Sequence, residues 1–136
     1  MSFADKHFLY VEDDPLSRTV MEMIMGNGMG VTHLNIFEDS TDFMSRLKAL
    51  ATRPDIILLD VHIKPFSGLE MLQMLRADPE YQTVKVVALT ASVMNEEVEQ
   101  LRTSGFDGGI AKPLSVTTFP GLIERIIAGE AVWYVT

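Results

Sequence analysis

Short apolar segments recur along the chain at His7 to Val11, around Val31 to Phe37, at Asp55 to Leu59, at Val84 to Leu89, and more weakly at Gly109 to Ala111. They are rich in branched and aromatic residues and too short for helices, so each predicts a strand. The first, third and fourth are nearly continuous in apolar residues instead of alternating, as strands covered on both faces must be. Between them, apolar residues fall at spacings of three and four: Leu16, Val20, Met23 and Ile24; Phe43, Leu47 and Leu50; Leu69, Leu72 and Leu75; Val93, Val98 and Leu101; and Phe119, Leu122, Ile123, Ile126 and Ile127. Each set predicts a helix with one stripe to bury, and the last is the cleanest. Pro15 suits a first helical turn, Ser40 and Ser67 are placed to cap, and Gly105 and Gly129 are placed to stop helices.

Strand and helix therefore alternate five times. With right-handed crossovers this predicts a three-layer α/β sandwich, a (βα)5 doubly wound parallel sheet between two helical layers. No linker, repeat or second domain is visible, and residues 1–136 read as one domain with a core from about 6 to 129 and a tail over 130–136. In such folds ligands collect beyond the carboxyl ends of the strands, where the strand order reverses.

Composition narrows the function. A hydrophobic fraction of 47% and a charged fraction of 22% are ordinary for a globular chain. The net charge of -8 disfavours nucleic acid and anionic membrane surfaces as partners, since both require phosphates to be neutralised by Lys and Arg. No run approaches the ~20 apolar residues of a membrane span, and no basic-then-apolar leader opens the chain, so a cytoplasmic location is expected. Without cysteine, the chemistry must come from oxygen and nitrogen groups.

The predicted strand ends supply those groups: Glu12, Asp13 and Asp14 after the first, Asp60 after the third, Thr90 with Ala91 after the fourth, and Lys112 before Pro113 after the fifth. Two carboxylates ~4 Å apart repel by ~4 kcal/mol at an effective dielectric of ~20, so such a cluster calls for a cation. Magnesium suits it better than zinc, because every donor offered is an oxygen and no His or Cys cluster stands at ligand spacing. A carboxylate beside magnesium, with an ammonium and a hydroxyl near, is equipped for phosphoryl transfer, and Asp60 is the candidate nucleophile.

These motifs, in this order and each at a strand end, resemble the receiver domain of bacterial two-component response regulators. The likeness rests on Tyr10-Val11-Glu12-Asp13-Asp14-Pro15, on Asp55-Ile56-Ile57-Leu58-Leu59-Asp60, on Pro65 and Gly68, on Leu89-Thr90-Ala91 and on Ala111-Lys112-Pro113, and it spans essentially the whole chain. It implies a flavodoxin-like fold with strand order 2-1-3-4-5. It also implies a phospho-acceptor switch: Asp60 is the acceptor, and Mg2+ is held by Glu12, Asp13, Asp60 and the backbone carbonyl of His62. Thr90 would hydrogen-bond a phosphoryl oxygen, and Lys112, before a cis peptide bond to Pro113, would pair with the phosphate. The implied phosphodonor is a sensor histidine kinase or a phosphotransfer protein, and the implied output is contact with a downstream protein. Catalysis is expected to be limited to self-phosphorylation and autodephosphorylation.

Blander readings compete residue by residue. Glu12 to Asp14 alone would suit a helix dipole. Lys112 alone would be a surface lysine and Thr90 alone a cap. Asp60, ending a fully apolar strand, is harder to dismiss. Gly26 to Gly30 lacks the lysine of a phosphate loop and reads as a helix stop, the nine methionines as core filler, and His7 and His33 as structural. The rival from another class is a small Mg-dependent aspartyl phosphatase, which typically needs an acid two residues after its nucleophile, where His62 stands here. A mononucleotide binder of the same fold would need a Ser/Thr/Gly-rich loop in place of Glu12 to Pro15.

The chain departs from the family pattern at Gly109, where an aromatic residue, often Tyr, usually stands three residues before the lysine. The expected readout then runs through Thr90 and residues 91–96, with a partner side chain or Phe106 filling the space at Gly109. The aromatic tail Trp133-Tyr134 is expected to pack on the sheet edge or a helical layer, the alternative being a docking or homodimer element. No output domain follows residue 136, so either a stand-alone receiver or one excised from a longer protein is expected.

Overall fold

The computed structural model describes every residue except Met1, Val93 and Thr136, so the helical position assigned above to Val93 and the last residue of the tail lie outside the described residues. Its strands are β1 (His7–Val11), β2 (His33–Phe37), β3 (Ile56–Asp60), β4 (Lys85–Thr90), β5 (Gly108–Ala111) and β6 (Val132–Tyr134). Its helices are α1 (Pro15–Met23), α2 (Phe43–Lys48), α3 (Gly68–Arg76), α4 (Asn95–Thr103) and α5 (Phe119–Ile127). The sheet is parallel throughout in the order β2-β1-β3-β4-β5-β6, which adds an edge strand to the expected five.

Alternation along the central strands explains the two helical layers. Phe8 and Tyr10 of β1, with Ile56 and Leu58 of β3, face one core with Met21, Phe119, Ile123 and Ile126. Leu9, Val11, Ile57 and Leu59 face the other with Phe43, Leu47, Met71, Leu72 and Leu75. All five residues of β3 are buried, as its uninterrupted apolar run requires. Each aliphatic or aromatic side chain so buried contributes roughly 1.5–3 kcal/mol.

Local signals set most of the boundaries. Asp14 caps α1, accepting from the Ser17 amide at 3.0 Å, and Pro15 occupies the first turn. Ser67 and Glu70 form a capping box on α3. Gly105 and Gly129 end their helices at φ 110° and 99°. The Gly26 to Gly30 stretch is a stop of unusual form: α1 widens into a π-turn at Ile24–Gly28, and the Val31 amide then reaches back to the Met25 carbonyl at 2.9 Å. Ser40 is not a helix cap, because α2 starts only after Asp42, which adopts φ 48°. Instead the buried Ser40 hydroxyl donates to the Phe66 carbonyl and accepts from the Phe66 amide, both at 2.7 Å, tying the loop before α2 to the loop after β3.

The tail takes the sheet-edge position. Gly108, Gly109 and Ile110 pair with Val132, Trp133 and Tyr134. A Cβ at Gly109 would overlap the ring of Trp133, so Trp133 fills the space that Phe106 or a partner was expected to fill; Phe106 lies in the core beneath α2, α3 and α4. At the amino-terminal ends of β4 and β5, Arg76 donates to the carbonyls of Tyr81, Gln82, Val84 and Gly105 and to Asp107, while Asp107 accepts from the Val86 amide at 2.8 Å.

Candidate functional site

Strand register brings the expected residues to one edge. Val11 pairs with Leu59, so Glu12 and Asp60 emerge side by side. Asp60 pairs with Leu89, which sets Thr90 one step further on, and Thr90 pairs with Ala111, which sets Lys112 beyond it. β1 and β3 lie where the order of strands reverses, the expected place for a ligand. Both expected cis-Pro geometry at Lys112-Pro113 and a second cis bond, Lys64-Pro65, flank this edge.

Glu12 and Thr90 are fully buried and Asp60 is 5% exposed, while Asp13 is open to solvent. Glu12, Asp13 and Asp60 each offer an oxygen, and the three atoms lie within 4.8 Å of one another. The acidic run therefore divides: Asp14 serves the helix, as the dipole argument had it, and the other two join Asp60. Lys112 Nζ lies 2.6 Å from Glu12 Oε1 and 3.6 Å from Asp60 Oδ1. Tyr10 donates its hydroxyl to the same Glu12 oxygen at 2.8 Å, the Asp14 amide approaches Oε2 at 3.3 Å, and Arg18 holds the Glu12 carbonyl at 3.0 Å.

Burial, and then the adjacent Glu12 carboxylate, push the Asp60 carboxyl up to about 6, although Lys112 and the His62 amide pull the other way. Burial also opposes charge on Glu12, but hydrogen bonds with Lys112, Asp60 and Tyr10 hold its carboxyl below the usual range. Lys112 is raised despite its burial, by its hydrogen bond to Glu12 and the charge of Asp60. Three carboxylates thus face one ammonium, with only oxygen donors on the acidic side. That donor set fits a hard divalent cation.

Two of the expected residues also have side-chain partners of their own. The Thr90 hydroxyl accepts from the Ser92 amide at 3.0 Å, within its own loop. The His62 imidazole reaches out from the loop after β3 to Glu97 of α4, at 2.5 Å. Tyr10 and Arg18, which hold Glu12, and Glu97, which meets the His62 ring, were not anticipated as neighbours of the site. Tyr10 had a signal: a residue two before Glu12 on a strand shares its face, and a phenol inside an apolar strand needs a partner.

The family model for the response regulator receiver domain matches residues 8–124. The polar-differentiation response regulator DivK of Brucella anthropi is 31% identical over 127 residues, covering 93% of this chain and 98% of that protein, and its Brucella ovis counterpart is 30% identical over the same span. Among solved structures, the receiver domain of a Pseudomonas aeruginosa sensor histidine kinase, with magnesium coordinated in its active-site cleft, is similar in fold. It has a TM-score of 0.78 at 24% identity and covers 90% of this chain and 98% of that one. The chemotaxis response regulator CheY4 of Vibrio cholerae gives 0.77 at 19% identity, covering 89% and 98%. With the sheet order, the acidic edge and this match in agreement, the chain belongs to the receiver domain family of two-component response regulators.

Proposed function

We propose that residues 1–136 form a phospho-acceptor switch in which Asp60 takes a phosphoryl group from a histidine kinase or phosphotransfer protein. The observation that carries this reading is the placement of Asp60: buried at the end of β3, clustered with Glu12 and Asp13, and 3.6 Å from the Lys112 ammonium. Glu12, Asp13, Asp60 and the His62 carbonyl would hold Mg2+, which when bound neutralises charge on the phosphoryl oxygens. Lys112 is within a short swing of an anion on Asp60, and the Thr90 hydroxyl can donate to it while still accepting from the Ser92 amide, giving up only its 3.5 Å contact with the Ser92 carbonyl.

A phosphodonor protein must cover this edge. Exposed Leu16 at the start of α1 and Val116 in the loop before α5 flank it, and Leu16 lines a cavity of about 210 Å³ with Tyr10, Lys112 and Pro113. Among the described residues no helix is long and apolar enough to cross a membrane, and the reading places the protein in the cytoplasm with its kinase. The output is a change of partner binding carried by Thr90 and the loop toward α4. The aspartyl phosphatase alternative is disfavoured by His62, whose ring is turned to Glu97 and offers no acid beside Asp60.

The direct test mixes the protein with magnesium and a small phosphodonor. A base-labile gain in mass, lost in Asp60→Asn, is the expected result. No incorporation refutes the proposal, and turnover on small phosphate esters would favour the phosphatase.

A further inference from the structure

Tyr10 lies within the apolar run of β1, fully buried among Met21, Phe119 and their neighbours. A phenylalanine would serve that packing. The hydroxyl costs free energy to bury unless it is satisfied, and here it is satisfied by one acceptor, Glu12 Oε1, at 2.8 Å. That oxygen also receives Lys112 Nζ at 2.6 Å. The two donors differ in freedom: Lys112 sits on a flexible stem within reach of Asp60, whereas the Tyr10 ring is fully buried and held by the core of β1, although it borders the cavity it shares with Leu16 and Lys112.

We propose that Tyr10 is a positioning residue for the acidic site: its hydroxyl fixes Glu12 from inside the core, so that Glu12 keeps its orientation toward the cation when Lys112 leaves for an anion on Asp60. This rests on the reading of the site as a magnesium-dependent acceptor. Without Tyr10, Glu12 Oε1 has Lys112 as its sole side-chain donor among the described residues. Glu12 would then either move with Lys112 or detain it. Tyr10 thus acts through Glu12 and touches no reacting atom.

The test is magnesium titration of the whole chain, followed by calorimetry and by amide chemical shifts. Tyr10→Phe keeps the ring, so the protein should stay folded with only a modest fall in thermal midpoint from the lost hydrogen bond, while magnesium affinity falls about 10-fold, the usual scale for loss of a hydrogen bond behind a metal ligand. In the Glu12→Gln background, the same Tyr10→Phe change should alter affinity no further, which a general packing defect would not reproduce. In the unsubstituted protein, the sealed Tyr10 hydroxyl proton should exchange slowly and shift when magnesium is added. An unchanged affinity in Tyr10→Phe, an equal loss in both backgrounds, or a hydroxyl resonance blind to magnesium overturns the role of Tyr10 alone. Failure of the unsubstituted protein to bind magnesium overturns the acceptor reading and this inference with it.

Discussion

The ring of Trp133 stands where a side chain on Gly109 would have to be. The two residues are register partners on β5 and β6, so the bare backbone of one is the seat of the other. Even a methyl group at Gly109 must displace the indole. Gly109→Ala is therefore expected to destabilise the protein by about 1–3 kcal/mol, the range for overpacking. In the Trp133→Ala background the same change should cost less, because the obstruction is gone. Thermal or urea denaturation of the four proteins in this cycle measures the coupling, and additive effects would refute it.

Asp60 gives the fold a stability profile with a defined sign. Its carboxyl, raised from 3.8 to about 6, binds a proton more tightly in the folded chain than in the unfolded one. Between those values the folded state carries the extra proton, so this group's contribution to stability falls as pH rises from about 4 to about 6. The full swing is roughly 3 kcal/mol at 1.36 kcal/mol per pKa unit. Glu12, held below its usual 4.5, acts the other way and only at lower pH: its contribution is lost as pH falls through its folded value. Urea titrations at pH 4 and pH 7 should find Asp60→Asn more stable than the unsubstituted protein at pH 7 by about 1–3 kcal/mol, with the difference gone near pH 4. Magnesium, which requires the ionised carboxylate, should lose close to tenfold in affinity per pH unit below about 6.

The strands, the helical faces and the acidic edge were legible because they are written in local periodicity and in charges at strand ends. Asp60 announces itself by ending a strand with no other polar residue, and register then carries Glu12, Thr90 and Lys112 to its side. Less legible were contacts between residues far apart in sequence that are individually unremarkable. Ser40 has the chemistry of a cap, and only the tertiary position of Phe66 makes it a loop tie instead. Gly109 departs from the family pattern, and Trp133, expected at the sheet edge or a helical layer, explains it once β6 is paired. The sixth strand is three residues long, too short for alternation to reveal.

Arg76 is the clearest case of a stabilising residue with no sequence signal beyond its place in the last turn of α3. Its guanidinium satisfies four backbone carbonyls and pairs with Asp107 at 3.0 Å, joining α3 to the starts of β4 and β5. Arg76→Ala should cost about 2–4 kcal/mol, since several partly buried acceptors lose their donor at once. Arg76→Lys should recover little of it, because an ammonium cannot span that fan of acceptors. Equal stability of Arg76→Lys and the unsubstituted protein in urea would contradict this.

Lys112 supplies the final test, because its 2.6 Å contact is with Glu12 while its expected work is at Asp60. Removing the ammonium leaves two buried carboxylates facing each other with the Tyr10 hydroxyl as the chief relief. Loss of one partner from a buried pair typically costs 3–5 kcal/mol; with the Lys112 side chain 18% exposed and Tyr10 still donating, Lys112→Ala should cost about 2–3 kcal/mol at pH 7.5. A divalent cation in the same cluster replaces the missing positive charge. Saturating magnesium should therefore raise the thermal midpoint of Lys112→Ala by more than it raises that of the unsubstituted protein, where Lys112 already shields the acids. The order would reverse if Lys112 served to hold the carboxylates in place for the cation instead of competing with it, so differential scanning calorimetry with and without magnesium distinguishes a shield from a scaffold.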